Sequence, residues 1–287
     1  MSVLAERAML ARFSATKWAA RKHDKAVTSE VATTHKADKA KAGRYHKRLL
    51  ASDSLNAIKQ IEVKARTLHY DLTLPWLFEG VDLLPILNYE QYCLEMGDNS
   101  RAFYAAVDVF IFDYPAEVEY AKKVLGTMYK AEDYPTPAAV KQKFGFDMSF
   151  WPVPEAGDWR VQIEDEAEAR IKADIEERLT AQTEEVLRAT WERAFKPLSR
   201  MVERLSDPDH IFRDSLVTNV ADLVTMLPKL NIMEDPDIKK LTEDLRLDIC
   251  GLNPQDLRDD DKARADGAKA AKKVLADIEA KMAAFMA

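Results

Sequence analysis

The chain holds only eight glycines in 287 residues. Barrels, sandwiches and glycine-lined nucleotide sites need tight turns or close backbone approach, and a chain this poor in glycine is unsuited to them. Neither G-x-x-x-x-G-K-[ST] nor G-x-G-x-x-G occurs, which sets aside the common forms of ATP hydrolysis and dinucleotide chemistry. H-E-x-x-H, C-x-x-C and G-x-S-x-G are missing as well, and with them the usual zinc- and serine-hydrolase signatures. Cys93 and Cys250 lie far apart in sequence and form no pair motif, so neither a disulfide framework nor a zinc module is expected. No uncharged apolar run approaches the ~20 residues that span a bilayer, and residues 1–10, which include Glu6 and Arg7, lack the apolar centre of a secretory signal. The expectation is a cytoplasmic protein with no membrane contact, no cofactor, no metal and no catalytic residue.

What is present points to helices. Hydrophobic residues make up 47% of the chain, enough to build a core, and the fold class expected is mainly α: long antiparallel helices with coiled-coil-like packing and one small β-hairpin. Four helix starts share one idiom, a short polar residue followed by Pro: Thr136-Pro137, Asp207-Pro208, Asp235-Pro236 and Asn253-Pro254. The polar side chain accepts from orphan N–H groups, and Pro at the first helical position loses nothing by lacking its own donor. The clearest helix runs over about 165–205, with acids at its start, Arg200 and Arg204 near its end, and Leu187, Trp191, Ala194, Leu198, Met201 and Leu205 spaced four, three, four, three, four. Pro197 is expected to kink it. A helix over about 89–113 and another from Pro115 to about Lys130 should pack along it. Further helices are predicted at about 208–230, 236–249 and 263–286, the last with a stripe of Val274, Ile278, Met282 and Phe285. Residues 147–163, rich in Phe, Trp and Val, read as the hairpin, its first strand at a sheet edge because it contains Pro152 and Pro154. Three regions follow: a basic N-terminal region, 1–88; a long-helix region, 89–231; and C-terminal helices, 232–287.

Charge is uneven along this order. The whole chain has a formal net charge of -7; residues 1–70 hold fifteen Lys or Arg and six Asp or Glu, a balance of +9, so the remainder carries -16. The densest stretch, "HKADKAKAGRYHKRLL" at 35–50, would as a helix spread Lys36, Lys41, Arg44, Lys47 and Arg48 over half its circumference, with Arg21 and Lys22 extending the face. Two readings stand open: a docking face for an anionic partner such as single-stranded nucleic acid, with Trp18, Tyr45 and Tyr70 as stacking platforms, or a solvated or internally paired face set against the acidic remainder. His46 and His69 with Asp53 or Asp71 could make an acid–base group only if the fold joins them. Asp259, Asp260 and Asp261 could hold a hard cation, or simply favour a helix start.

Several strings, "TKWAARKHDK" at 16–25, "LPW" at 74–76, "AEDYP" at 131–135, "KFGFD" at 143–147, "PVP" at 152–154 and "RLSDPDHIFRDSLV" at 204–217, resemble a family of tailed-bacteriophage and prophage proteins known as a domain of unknown function. The resemblance covers most of residues 3–230. It implies a phage origin, hence the cytoplasm of a bacterial host, and one helical family fold; it brings no catalytic residues. The leading functional expectation is a non-enzymatic protein acting by assembly with itself or another protein through Leu187, Trp191, Leu198, Val274, Ile278 and Met282, one form of which, implied by the phage resemblance, acts against a host defence factor. The alternative is single-stranded nucleic-acid binding in phage replication or recombination.

Overall fold

A computed structural model describes residues 3–38, 40–51, 53–155, 157, 165–207 and 209–285. In chain order the elements are α1 (Val3–Arg7), β1 (Ala8–Thr16), β2 (Arg21–His23), α2 (Lys25–Thr34), β3 (His46–Arg48), α3 (Asn56–Leu72), β4 (Leu74–Pro75), β5 (Asp82–Pro85), α4 (Ile86–Leu125), α5 (Pro137–Lys141), β6 (Gly145–Pro152), α6 (Asp165–Ser206), α7 (Ser215–Leu230), α8 (Pro236–Asp248), α9 (Asp256–Asp259) and α10 (Asp261–Ala284). The chain is mainly helical with a small antiparallel sheet. It divides into two compact units that interleave in sequence: residues 1–12, 70–92 and 149–287 form the first, and 13–69 with 93–148 the second.

In the first unit, α6 supplies one wall of a core that α7, α8, α9 and α10 complete. Trp191, Ala194, Leu198, Met201 and Leu205 are the α6 contribution, in the spacing predicted, and α6 runs unbroken through Pro197. Their partners are Leu216, Val220, Leu223 and Leu227 of α7, Leu241 and Leu245 of α8, and Ala271, Val274 and Ile278 of α10. Gly267 lets α10 come close here: a Cβ at this position would lie 3.0 Å from Leu257 Cδ2. A second cluster joins Leu4, Leu10, Leu74, Trp76 and Leu83 to Val186 and Leu230. Antiparallel pairing sets Ala8 opposite Pro85 and Leu10 opposite Leu83, with β4 on the other side of β5.

Caps fix several helix starts as expected. Thr136 accepts from Ala139 N at 3.3 Å and Asp235 from Asp237 N at 2.8 Å, each with Pro at the head of its helix. At Asn253-Pro254 the expectation is not met in this form: Asn253 accepts from Gln255 N at 2.9 Å, but α9 opens only at Asp256 with Gln255 as its N-cap and no side-chain cap bond. The Asp207 start fails: α7 opens only at Ser215, and Pro208 lies outside the described residues. Where two helices were expected around Pro115, α4 is one helix of 40 residues. Proline removes one backbone bond, costing about 3 kcal/mol, and the buried Phe103, Val107, Phe110, Tyr114 and Ala121 hold the helix from both sides of it. Of the expected hairpin, β6 is the first strand and lies at the edge of a four-stranded sheet of order β4-β5-β1-β6. The expected second strand, at Trp159, Val161 and Ile163, falls outside the described residues.

The second unit packs aromatic side chains: Phe13 and Phe146 rings meet at 4.8 Å, Phe103 and Phe146 at 5.6 Å, Phe110 and Phe144 at 5.7 Å, and Trp18 sits edge-on to Tyr114 at 5.7 Å. Offset and edge geometries of this kind add about 0.5–1.5 kcal/mol per pair to the area buried. Against this core, β2 and β3 form a separate two-stranded ribbon.

Candidate anion-binding site

The described residues of the basic stretch 35–50 form no helix. Residues 37, 38 and 40–45 are irregular and His46–Arg48 is a strand, which pairs antiparallel with Arg21–His23: Arg21 opposite Arg48, Lys22 opposite Lys47, His23 opposite His46. Residues directly opposite share a face and alternate residues along a strand switch face. Arg21, His23, His46 and Arg48 therefore make one face of the ribbon. Lys47 belongs to the other and is 2% exposed.

Lys47 is the clearest correction to the helical docking face. Its ammonium lies 2.7 Å from Asp133 Oδ2 and 3.5 Å from Asp24 Oδ2, and donates to the Met128 carbonyl at 2.7 Å. Burial pushes its pKa down, but Asp133 and Asp24 together outweigh burial and hold it above the usual 10.5. Lys47 is thus internally paired and unavailable to a partner. Lys36 has a local task as well: at φ +49 it ends α2 in the left-handed conformation, its N–H donating to Thr33 O and that of Ala37 to Ala32 O, a Schellman cap. Lys41 and Arg44 are exposed on the loop, as are Lys22 and Tyr45 beside it.

Arg21 and Arg48 remain, exposed and directly opposed. They line a pocket of about 190 Å³ with Lys59 of α3, its remaining walls being Ala19, Ala20, Leu50, Ala51 and Leu55. Among the described residues no carboxylate pairs with any of the three cations. Like charges set opposite one another in a strand pair destabilise it by some tenths of a kcal/mol to about 1 kcal/mol. Ala20, in the pocket wall, is held at φ +48 while its carbonyl accepts from Leu49 N at 2.8 Å. A left-handed Ala costs roughly 1–2 kcal/mol. The pocket is therefore built from two locally unfavourable arrangements that the surrounding fold imposes.

Next to this pair His23 and His46 stack, ring centroids 5.4 Å apart at 30°. Thr28 Oγ1 donates to Asp24 O at 2.7 Å and accepts from Tyr45 N at 3.0 Å, so its 3.1 Å contact with His23 Nε2 requires the imidazole to donate. That places a proton on Nε2. The His23–His46 stack is not legible in the sequence because a three-residue strand has no period to detect and its register is set only by the folded chain; Lys59, on α3, comes to the ribbon only through tertiary packing.

The other candidate residues are placed elsewhere. His69 is buried against Phe13 at 6.0 Å, while His46 stacks on His23. Asp260 is the N-cap of α10, accepting from Lys262 N and Ala263 N, with Asp261 in the helix's first turn and Asp259 accepting from Gln255 Nε2. No group of His, Cys, Asp or Glu among the described residues is arranged to hold a metal ion. Trp191, Leu198, Val274 and Ile278 are at most 2% exposed, and Leu187 and Met282 pack partly buried against them, so the expected protein interface is the interior of the first unit. Cys93 and Cys250 are free thiols, and burial pushes the Cys250 thiol up. No described helix is long and apolar enough to cross a membrane. No protein-family model, curated protein or solved structure matches the chain.

Proposed function

We propose that this is a non-catalytic binding protein whose second unit takes the phosphate groups of single-stranded nucleic acid on the β2–β3 ribbon. One observation carries the reading: Arg21 and Arg48 face each other across the ladder with Lys59 beside them and no carboxylate among them. A guanidinium pair in this arrangement is relieved by an anion between them, and phosphate oxygens match the planar fork of Arg in two-point contacts. Tyr45, 42% exposed and next to His46, supplies a ring on which a base can stack. Arg21 and Arg48 lie on a short two-stranded ribbon rather than on a helix that could enter a groove, so the contact expected is with the backbone and independent of sequence. Assembly through the α6 and α10 seam, the other reading of the sequence, loses its surface because those side chains fill the core.

Fluorescence anisotropy of a labelled oligo(dT) at a series of salt concentrations tests this. Each phosphate contact releases counterions, so the logarithm of the association constant should fall with log salt with a slope of about 0.7 per contact. Replacing Arg21 and Arg48 together by Ala should weaken binding at low salt and flatten the slope by about 1.4, with an unchanged circular dichroism spectrum. Absence of binding at low salt, or a double variant that binds like the parent, overturns the proposal.

A further inference from the structure

A long exposed apolar stripe runs along the part of α4 that belongs to the second unit. Opposite the buried line of Phe103, Val107, Phe110 and Tyr114, the helix exposes Ala105, Val109, Phe112, Ala116 and Tyr120. The spacings are four, three, four, four, one continuous helical face. Val109 is 62% exposed, Phe112 85% and Tyr120 56%. Single exposed apolar residues are ordinary, but an aligned row of them is the mark of an interface.

The charges along this stripe identify what covers it. Arg101 and Glu119 are eighteen residues apart, about five full turns, so both leave the helix in the same direction. They lie equally far from residue 110. A two-fold axis passing beside α4 at that residue, between the copies and perpendicular to the helix, sets Arg101 of one copy against Glu119 of the other, twice. The same operation brings Asp98 to Lys122 and Lys123, and Ala105 to Ala116, two small side chains that let the backbones approach. Val109 and Phe112 fall at the centre, where an isologous interface needs its apolar anchors. Asp98, Arg101, Glu119, Lys122 and Lys123 are all exposed, and Asp98 pairs with Arg101 along the helix, which holds both charges at the edge of the stripe.

We propose that this face of α4 is a homodimer interface, its occupant the same face of a second copy running antiparallel about residue 110. It stands independently of nucleic-acid binding.

Sedimentation of the full-length chain over a wide concentration range is the measurement. A monomer–dimer equilibrium is expected. Phe112→Asp should abolish the dimer and leave the circular dichroism spectrum unchanged. Arg101→Glu or Glu119→Arg alone should weaken the dimer at least about tenfold, because each puts like charges together at both symmetry-related contacts. The two changes combined should restore it, which a merely structural effect of either would not do. A monomer at every concentration, an open-ended series of larger species, a dimer indifferent to Phe112→Asp, or a double variant as weak as the single ones overturns the proposal.

Discussion

Successive side chains of a strand face opposite ways, so Lys47 enters the interior of the second unit while His46 and Arg48 stay outside. The buried ammonium is held by two carboxylates, and removing it leaves both without a cation. Lys47→Met should therefore destabilise the protein by about 3–5 kcal/mol, read from urea unfolding followed by tryptophan fluorescence, even though methionine suits the volume. The same cluster predicts a pH dependence. Asp24 accepts from Val27 N and Ala26 N and faces Lys47; the Val27 bond above all, helped by Lys47, outweighs burial and keeps its carboxyl below the usual 3.8. A carboxyl depressed in the folded state binds its proton more readily when unfolded, so its contribution is present above pH 3.8 and is lost as pH falls through the depressed value. Lys47, raised when folded, has the opposite sign: its contribution is full below 10.5 and lost as pH climbs through the raised value. Asp24→Asn should be less stable at neutral pH and should lose part of the acid limb of the stability curve. An acid limb identical in slope to the parent's would show that the cluster does not set it.

At the scale of elements, the end of α2 offers a clean test because its strain is local. Lys36 occupies the left-handed cap position where glycine is ordinarily found, and its side chain is exposed. Lys36→Gly should raise stability by up to about 1 kcal/mol, seen as a higher thermal midpoint, less whatever glycine adds to the entropy of the unfolded chain. A lower midpoint would mean that the side chain contributes more than the strain costs. Helices are legible in the sequence where a long period or a capped start marks them. Residues 165–206 and 261–284 carry the period and 236–248 the Asp235-Pro236 start, and each of these is a local fact. β1 was not legible. Its sequence, "AMLARFSAT", is rich in good helix formers, yet it lies between β5 and β6 with Ala8, Leu10, Ala11 and Phe13 buried. Tertiary packing overrides propensity there. The candidate site is half legible for the same reason: charge density marks Arg21 and Arg48, but only strand pairing separates them from Lys47, and only the packing of α3 brings Lys59 alongside. The expected seam was read correctly as an apolar helix face, and its covering, α7, α8 and α10, came from the same chain. The exposed face of α4 is not legible as one stripe because Pro115 reads as a boundary between two helices.

For the whole molecule, the deciding quantity is the count of ribbons that a single nucleic-acid strand can reach. A dimer through α4 carries two β2–β3 ribbons, and a strand long enough to touch both converts its second contact into an intramolecular one. The effective concentration of that second ribbon is of the order of millimolar for a short flexible tether, so a long strand should bind up to about 10²-fold more tightly than a short one of the same composition. Phe112→Asp leaves Arg21, Arg48 and Lys59 untouched. It should therefore keep the affinity for a short oligo(dT) and lose the excess affinity for a long one. Anisotropy with both lengths, on the parent and on the variant, separates the possibilities. If the parent shows no length dependence beyond the statistical gain in sites, a single strand does not bridge the two ribbons. If the variant loses short-strand binding as well, the effect of Phe112 runs through the stability of the second unit rather than through its pairing with a second copy. Only the loss of length dependence at constant short-strand affinity fits a bivalent binder assembled through α4.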